Sequence, residues 1–148
     1  MKWLLDTNVV SENVSRQANA DVITWISEQL PEQIAMSAVT FAELRDGAAL
    51  TANAQRKAEL VNWIEKAVTL SFQERIVPVT IEVLMDWLAL IGKLGAQGRP
   101  QAAADLLIAS TARVHGLILV TRNISDFANT GITLYNPWTN ETHKMEMP

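Results

Sequence analysis

Five side chains with oxygen donors are placed in this sequence so that they could act together on one substrate. They are Asp6, Glu43, Asp105, Asn123 and Asp126. Carboxylates that are brought together raise one another's pKa and destabilise a fold unless a positive group lies between them. For ligands that are all oxygen, the simplest such group is a hard divalent cation, Mg²⁺ or Mn²⁺. A cation held in this way could bridge a substrate phosphate and activate a bound water, which is the chemistry of a phosphodiesterase.

Asp6, Glu43 and Asp105 each also have a purely structural explanation. Asp6 is suited to cap a helix or to form an Asx-turn. Thr40 and Glu43 match the capping box, in which a glutamate bonds back to the residue that begins the helix. Asp105 lies near a predicted helix N-terminus, where the helix dipole favours a negative charge by roughly 0.3 to 1 kcal/mol. It is flanked on both sides by alanine, leucine and isoleucine, however, and an unpaired carboxylate in such surroundings is costly.

The composition restricts the remaining chemistry. The 148 residues contain no cysteine and only two histidines, which excludes disulfides, thiol catalysis and cysteine-bearing zinc sites. A hydrophobic fraction of 49% indicates one globular domain. Apolar runs are too short for a membrane span and Asp6 interrupts the first of them, so we expect a cytoplasmic protein without a signal peptide or membrane partner. The formal net charge of −4 opposes unaided binding of nucleic acid.

Apolar periodicity divides the chain into alternating strands and helices. Strands are predicted at 3–5, 34–36, 75–79, 117–120 and 132–135, and helices at 19–30, 40–50, 53–70, 80–91 and 102–115. Asn19 and Thr80 are the expected N-caps of two of these helices, and the helix at 80–91 is expected to bury Leu84 and Leu88. This alternation favours a three-layer α/β/α fold, with a central, mainly parallel sheet of about five strands. We predict one such domain over residues 1–138, followed by a C-terminal tail at 139–148 that is disordered or bound to a partner.

The predicted sheet explains why the five oxygen-bearing residues could converge. Ligands of a parallel α/β sheet bind at the carboxyl ends of its strands. Asp6 follows the first strand, and Asn123 and Asp126 follow the fourth. Glu43 lies on the first turns of the helix after the second strand, and Asp105 lies near the start of the helix before the fourth. We therefore expect the acids at one edge of the sheet.

Four segments carry a resemblance to a known family. They are Leu4–Glu12, Ser37–Leu44, Ala103–Ala112 and Leu119–Phe127. In this order they resemble a PIN domain, and within that family the VapC-type toxin ribonucleases of type II toxin–antitoxin systems, including the FitB-like branch. The ending Tyr135–Trp138 is also similar to that branch. No single segment is very specific, but the ordered set spans nearly the whole chain.

The resemblance implies a Mg²⁺- or Mn²⁺-dependent endoribonuclease that cleaves RNA by attack of water, with tRNA as the favoured substrate. The acidic ligands and catalytic residues that it assigns are Asp6, Glu43 and Asp105. Thr7 is their hydroxyl neighbour and a candidate for contact with the substrate phosphate. Family members often carry aspartate where this chain has Asn123, so either Asn123 or the catalytic acid Asp126 is expected to complete the site. The resemblance also implies a homodimer that is inhibited by a small VapB-like antitoxin, which itself binds operator DNA.

Three arginines near the proposed edge are candidates for contact with RNA phosphates. They are Arg45, Arg99 and Arg122, whose guanidinium groups suit phosphate geometry. The alternative is that they are ordinary surface charges. A second function also stays open, in which the chain is the non-catalytic half of a FitAB-like DNA-binding regulatory complex. The amide at Asn123 favours this alternative, because one carboxylate fewer weakens the binding of a metal.

Overall fold

The structure is a computed structural model that describes residues 1–95 and 100–147. Its strands are β1 (Trp3–Leu5), β2 (Ile34–Ser37), β3 (Ile76–Val77), β4 (Ile118–Val120), β5 (Thr133–Asn136) and β6 (Glu141–Lys144). Its α-helices are α1 (Thr7–Val10), α2 (Ala20–Glu28), α3 (Ala38–Ala49), α4 (Ala54–Trp63), α5 (Thr69–Phe72), α6 (Ile81–Leu94) and α7 (Pro100–His115). Strands and helices alternate along most of the chain, as the periodicity predicts.

The strands form a sheet in the order β3-β2-β1-β4-β5-β6. All neighbouring pairs are parallel except β5 and β6, which are antiparallel. The first strand is therefore central, with β2 on one side and β4 on the other. This is the point where the strand order reverses, and ligands of open α/β sheets bind beside it.

Helices cover both faces of the sheet and create two apolar cores. Leu5 faces a core built with α1, α3 and the segment from α4 to α5, whereas Leu4 faces a core built mainly with α7. Both side chains are buried, Leu4 at 0% exposure and Leu5 at 1%. Because neighbouring strand residues point to opposite faces, this pattern requires a three-layer α/β/α arrangement, and the predicted fold class is confirmed.

The C-terminal segment differs from the prediction. Residues 141–144 are not disordered but form β6, which pairs with β5 in the register Leu134↔His143 and adds a sixth strand to the sheet. Asn140, in the turn between the two strands, accepts a hydrogen bond from the Tyr135 hydroxyl (2.7 Å). The prediction failed because β6 is a largely exposed edge strand, so its sequence lacks the apolar alternation that marks a buried strand.

Two further elements were predicted with the wrong limits. The helix expected at 53–70 is α4 followed by a π-helical segment, Ile64–Val68, and then α5. The strand expected at 75–79 is only Ile76–Val77, because the chain forms a 3₁₀ turn immediately before it. Both differences arise where backbone hydrogen bonding departs from a regular helix or ladder, a feature that side-chain periodicity does not report.

Helix α6 exposes apolar side chains that were expected in the core. Leu84 is 39% exposed and Leu88 is 62% exposed, whereas Val83 and Leu90 are buried. Ile81 and Met85 are also exposed on this helix. The spacing of Ile81, Met85 and Leu88 places them on one side of α6, so the helix carries an apolar face that no described part of the chain covers.

Candidate active site

Asp6 lies in the first position after β1 and is held there by the local backbone. Its N–H donates to the Val120 carbonyl of β4 (2.9 Å), and its Oδ1 accepts from the Thr7 N–H (2.8 Å) as the N-cap of α1. The expected capping role is therefore present. The capping hydrogen bond uses only Oδ1 of Asp6, so capping does not explain the contacts that Oδ2 makes.

The second carboxyl oxygen of Asp6 is fixed by side chains from both sides of the strand reversal. Asp6 Oδ2 accepts from the Thr121 hydroxyl (2.8 Å), at the end of β4, and from the Asn8 side-chain amide (3.1 Å). Asn8 also donates to Thr121 Oγ1 (3.2 Å) and accepts from the Arg122 N–H (3.2 Å). The carboxylate is only 5% exposed. A buried acid with this many donors has a fixed orientation, as metal-binding and catalytic carboxylates require.

Glu43 is joined to this group through Thr7, whose hydroxyl donates to Glu43 Oε1 (2.9 Å). The capping-box explanation for Glu43 is wrong. Helix α3 is capped by Ser37, whose Oγ accepts from the Thr40 N–H (3.0 Å), so the helix begins before Thr40. Glu43 is then left free for the contact with Thr7, one turn further along the helix.

Asp105 lies on α7 beyond its first turn, which contains no acidic residue. The helix-dipole explanation therefore does not apply, because that effect is confined to the first turn. Burial, and then the neighbouring charges of Asp6, Asp126 and Glu43, raise the pKa of Asp105 from 3.8 to about 7. A pKa raised this far, in a carboxyl group that lies beside three other acids, marks Asp105 as a functional candidate.

The pKa values of the other two predicted ligands are shifted in the same direction. Loss of hydration on burial raises the pKa of Asp6, while its hydrogen bonds from Thr121, Thr7 and Asn8 lower it and the charge of Asp126 raises it. Desolvation also raises the pKa of Glu43, with the Thr7 hydrogen bond opposing the shift and the charge of Asp6 adding to it. Three acids from three separate elements thus lie near enough for their charges to act on one another.

Two exposed residues after β4, Asn123 and Asp126, are the candidates for a fourth oxygen ligand. Asp126 lies in a 3₁₀ turn, Ile124–Phe127, and its charge acts on both Asp6 and Asp105. The N–H of Asn123 donates to Thr121 Oγ1 (3.1 Å). The charge of Asp126 therefore acts on the acidic group, and the backbone of Asn123 is hydrogen-bonded to Thr121, the residue that orients Asp6.

The three arginines proposed to contact RNA lie in different places relative to the acidic group. Arg122 lies beside the acidic group, since its backbone contacts Asn8, and its guanidinium carbon lies 4.9 Å from the centre of the Trp138 ring. Arg45 is exposed on α3 two residues after Glu43, which turns it about 200° around the helix and away from the acids. Arg99 lies outside the described residues.

The donor chemistry of this group fits a hard divalent cation. The ligands available are carboxylate, amide and hydroxyl oxygens, which suit Mg²⁺ or Mn²⁺. Burial first, and the charges of neighbouring acids in addition, raise the pKa values of Asp6, Glu43 and Asp105, and a bound cation would favour their charged forms. Among residues 1–95 and 100–147, however, no three acidic or histidine side chains already lie close enough to enclose a metal ion. The carboxyl groups thus share one electrostatic site without forming a closed cage.

Two residues of the site were not singled out from the sequence as functional. Thr121 is fully buried and orients Asp6, and Asn8 connects Asp6, Thr121 and Arg122. A signal was available, because Thr121 is the first residue after the strand that pairs with β1. Residues that follow neighbouring parallel strands lie side by side at the same edge.

Comparison with known proteins gives a consistent result. Residues 3–132 match the family model described as the PIN domain. The chain is 36% identical over 135 residues to the toxin FitB of Neisseria gonorrhoeae, covering 91% of this chain and 97% of that protein. It is 33% identical over 135 residues to the VapC ribonuclease Y4jK of Sinorhizobium fredii, covering 91% of this chain and 96% of the relative.

A solved structure extends the comparison to the fold. The structure of FitAB bound to an IR36 DNA fragment superposes with a TM-score of 0.85 and 35% sequence identity, and the match covers 95% of this chain and 99% of the other. The six-stranded sheet and the helices that carry the acidic group thus belong to a known architecture.

Proposed function

Because the chain belongs to the PIN-domain family, we propose that it is the toxin of a toxin–antitoxin system, an endoribonuclease that hydrolyses RNA phosphodiester bonds. The observation that supports this activity most strongly is the electrostatic group of Asp6, Glu43 and Asp105 beside the strand reversal, with Asp105 raised to a pKa of about 7. Its relatives in Neisseria and Sinorhizobium are named as a toxin and as a ribonuclease.

We propose Mg²⁺ or Mn²⁺ as the cofactor, held by Asp6, Glu43 and Asp105. Asn123 or Asp126 would supply a further oxygen. When bound, such a cation supplies charge stabilisation at the phosphate and lowers the pKa of a water molecule. The chain's own contribution is to fix Asp6 with three hydrogen-bond donors, from Thr121, Asn8 and the Thr7 N–H. The Thr7 hydroxyl in turn donates to Glu43, so that two of the three carboxylates are oriented before a ligand binds.

Arg122 is the residue that we propose for contact with the RNA backbone. It is the described arginine whose main chain is tied to the acidic group, and its guanidinium can bind a phosphate through paired hydrogen bonds. Arg45 is the matched comparison, because it is also exposed but lies on the opposite side of α3 from Glu43. The family resemblance favours tRNA as the substrate.

A protein partner follows from the charge and from the relatives. With a formal net charge of −4, the chain is poorly suited to bind DNA by itself. The neighbouring structure is a FitAB complex on DNA. We propose that a small antitoxin binds and inhibits this chain and contributes the contacts to operator DNA.

We further propose that two copies of the chain form a homodimer through the apolar face of α6. Ile81, Met85 and Leu88 are 75%, 66% and 62% exposed, respectively, and lie on one side of the helix. In a twofold dimer the same surface of each copy forms the interface, and an apolar helix face can pair with itself in this way.

In the part of the chain that the structure describes, no helix is long and apolar enough to span a bilayer.

A second candidate is that the chain serves only as the non-catalytic half of a DNA-binding complex. The amide at Asn123 supports this alternative, because it leaves the site with one acid fewer than many family members carry. The orientation of Asp6 by Thr121 and Asn8 is not needed for such a role, so we place the nuclease first.

The two functions are separated by cleavage of total cellular RNA with the purified chain. The reaction is run with Mg²⁺, with Mn²⁺ and with chelator, and the fragment ends are sequenced. The nuclease predicts discrete fragments, most of them from tRNA, that disappear with chelator and in the Asp6→Asn variant. Intact RNA under every condition, from a preparation free of antitoxin, favours the DNA-binding complex.

A further inference from the structure

The Arg122 guanidinium packs against the ring of Trp138. Trp138 is not one of the acidic residues or their hydrogen-bond partners, so it has no role in the site described above. The guanidinium carbon lies 4.9 Å from the centre of the indole ring, within the range of a cation–π contact. In the described part of the chain, Arg122 has no carboxylate within 4 Å, although Asp126 follows it by only four residues. The arginine is thus held by an aromatic face and not neutralised by an ion pair.

The turn that carries Trp138 is itself fixed. The Trp138 N–H donates to Asn136 Oδ1 (2.9 Å), and both Asn136 and Pro137 are buried. Trp138 is half-buried and packs against the core on the side of the sheet that contains Leu5. The Trp138 ring is therefore held in a fixed position after β5, the strand that pairs with β4, and Thr121 is the first residue after β4.

The backbone of Arg122 is fixed as well. The backbone N–H of Arg122 donates to Asn8 Oδ1 (3.2 Å), and the side-chain amide nitrogen of Asn8 donates to Asp6. An arginine loses conformational entropy when it binds a phosphate, and this loss is smaller when the side chain is already ordered. A cation–π contact orders the guanidinium without occupying its hydrogen-bond donors, whereas an ion pair would occupy them.

From this geometry we propose that Trp138 is a positioning residue for RNA binding, which acts by holding the Arg122 guanidinium where it can donate hydrogen bonds to a substrate phosphate beside the acidic group. The proposal rests on the proposed ribonuclease function and names one device of that same site. Trp138 does not touch the reacting atoms, so its effect is expected in substrate affinity and not in the chemical step.

The proposal is tested by a double-mutant cycle on Trp138→Leu and Arg122→Gln. The probe is a fluorescein-labelled single-stranded RNA of about twelve nucleotides, and the dissociation constant is measured by anisotropy in an Asp105→Asn background that prevents turnover. Exposed cation–π contacts contribute about 0.5 to 1 kcal/mol, so Trp138→Leu should weaken binding about two- to fivefold. Arg122→Gln should weaken it about tenfold or more, since it removes a charged hydrogen bond to phosphate.

The decisive quantity is the effect of Trp138→Leu when Arg122 is already glutamine. If Trp138 acts through Arg122, the tryptophan substitution then has no further effect on affinity. Trp138→Phe keeps an aromatic face and should restore most of the affinity. Arg45→Gln is the matched control and should leave the dissociation constant unchanged.

The salt dependence of binding gives a second readout that a merely structural role would not move. Loss of one phosphate contact should reduce the slope of log affinity against log salt by about 0.7 in Arg122→Gln, and Trp138→Leu should reduce it in the same direction. Equal weakening by Trp138→Leu with and without Arg122, or an unchanged salt slope, would overturn the proposal while leaving the nuclease intact. Failure of the parent background to bind RNA at all would instead overturn the proposed function as well.

Discussion

Replacement of Asp105 by asparagine should make the metal-free protein more stable at alkaline pH while it removes activity. Burial and the charges of Asp6, Asp126 and Glu43 raise the pKa of Asp105 from 3.8 to about 7. Between these two values the folded protein binds a proton that the unfolded chain does not, so the free energy of unfolding falls as the pH rises. The stability contributed by protonated Asp105 is present near pH 4 and is lost as the pH passes about 7.

The size of the effect follows from the shift. The full change from 3.8 to about 7 corresponds to at most about 4 kcal/mol. Because Asp105 is only half-buried and its neighbours are partly solvated, we expect about 1 to 2 kcal/mol after screening. Asparagine does not ionise, so Asp105→Asn should match the parent near pH 4 and exceed it by this amount at pH 8. For a chain of this size, that is an increase of roughly 3 to 8 °C in Tm.

The assay is thermal unfolding of the parent and the variant in chelator, from pH 4 to pH 8. The matched control is Asp46→Asn, which replaces an exposed aspartate on α3 outside the acidic group and should change Tm little at any pH. Added Mg²⁺ should then stabilise the parent more than Asp105→Asn, since ligand binding stabilises the state that binds it. A variant that is less stable than the parent by the same amount at every pH would refute the reasoning, because Asp105 would then be a packing residue and not a repelled charge.

Three other substitutions test separate parts of the account. Thr121→Val removes the buried hydroxyl that donates to Asp6 and should lower kcat/KM about 10- to 100-fold, as loss of an orienting partner typically does; Thr121→Ser, which keeps the hydroxyl, should retain most of the activity in the same RNA-cleavage assay. Met85→Glu places a charge on the apolar face of α6 and should convert the proposed dimer to a monomer in light scattering, whereas an unchanged mass would place the interface elsewhere. Gly131→Ala should lower the free energy of unfolding by about 1 to 3 kcal/mol in a urea titration. Gly131 has a φ of 74°, and an added Cβ would overlap the Met147 sulfur. An unchanged urea midpoint would mean that the C-terminal segment leaves this position.

The central part of the sheet was predictable because its sequence signals are strong and local. Leu4 and Leu5 face opposite cores, and a run that is apolar on both faces is typical of a buried parallel strand. Asn19 and Thr80 cap helices as expected, since their side chains accept from backbone N–H groups in the first turn. The central strand and the starts of these two helices were therefore predictable from local sequence.

The failures concern contacts that local sequence does not encode. Strand β6 depends on the free edge of β5, and its polar residues give no periodic signal. Leu84 and Leu88 fit the apolar stripe of α6, but periodicity cannot tell a core from an interface, so their exposure was missed. The cap of α3 was assigned to Thr40 when Ser37 was an equally good capping residue three positions earlier.

The sequence suggested which acids lie near one another, but not which residues orient them. Asp6, Glu43 and Asp105 were placed together from the order of strands and helices, and their electrostatic coupling agrees with this prediction. The roles of Thr121 and Trp138 depend on which strands are neighbours, and that order became known only with the sheet topology. Residues that orient a site through side-chain contacts across strands are thus the ones that sequence reasoning misses.

The central claim is that the acidic group hydrolyses RNA, and the most direct test is the initial rate of RNA cleavage at saturating Mg²⁺ for three proteins measured side by side. These are the parent chain, Asp6→Asn and the exposed control Asp46→Asn. We predict that the parent and Asp46→Asn cleave at the same rate, and that Asp6→Asn loses at least about two orders of magnitude, as removal of a group that acts directly on the transition state does. Equal rates for Asp6→Asn and the parent would contradict the claim, because the cleavage would then come from another site or from a contaminating nuclease.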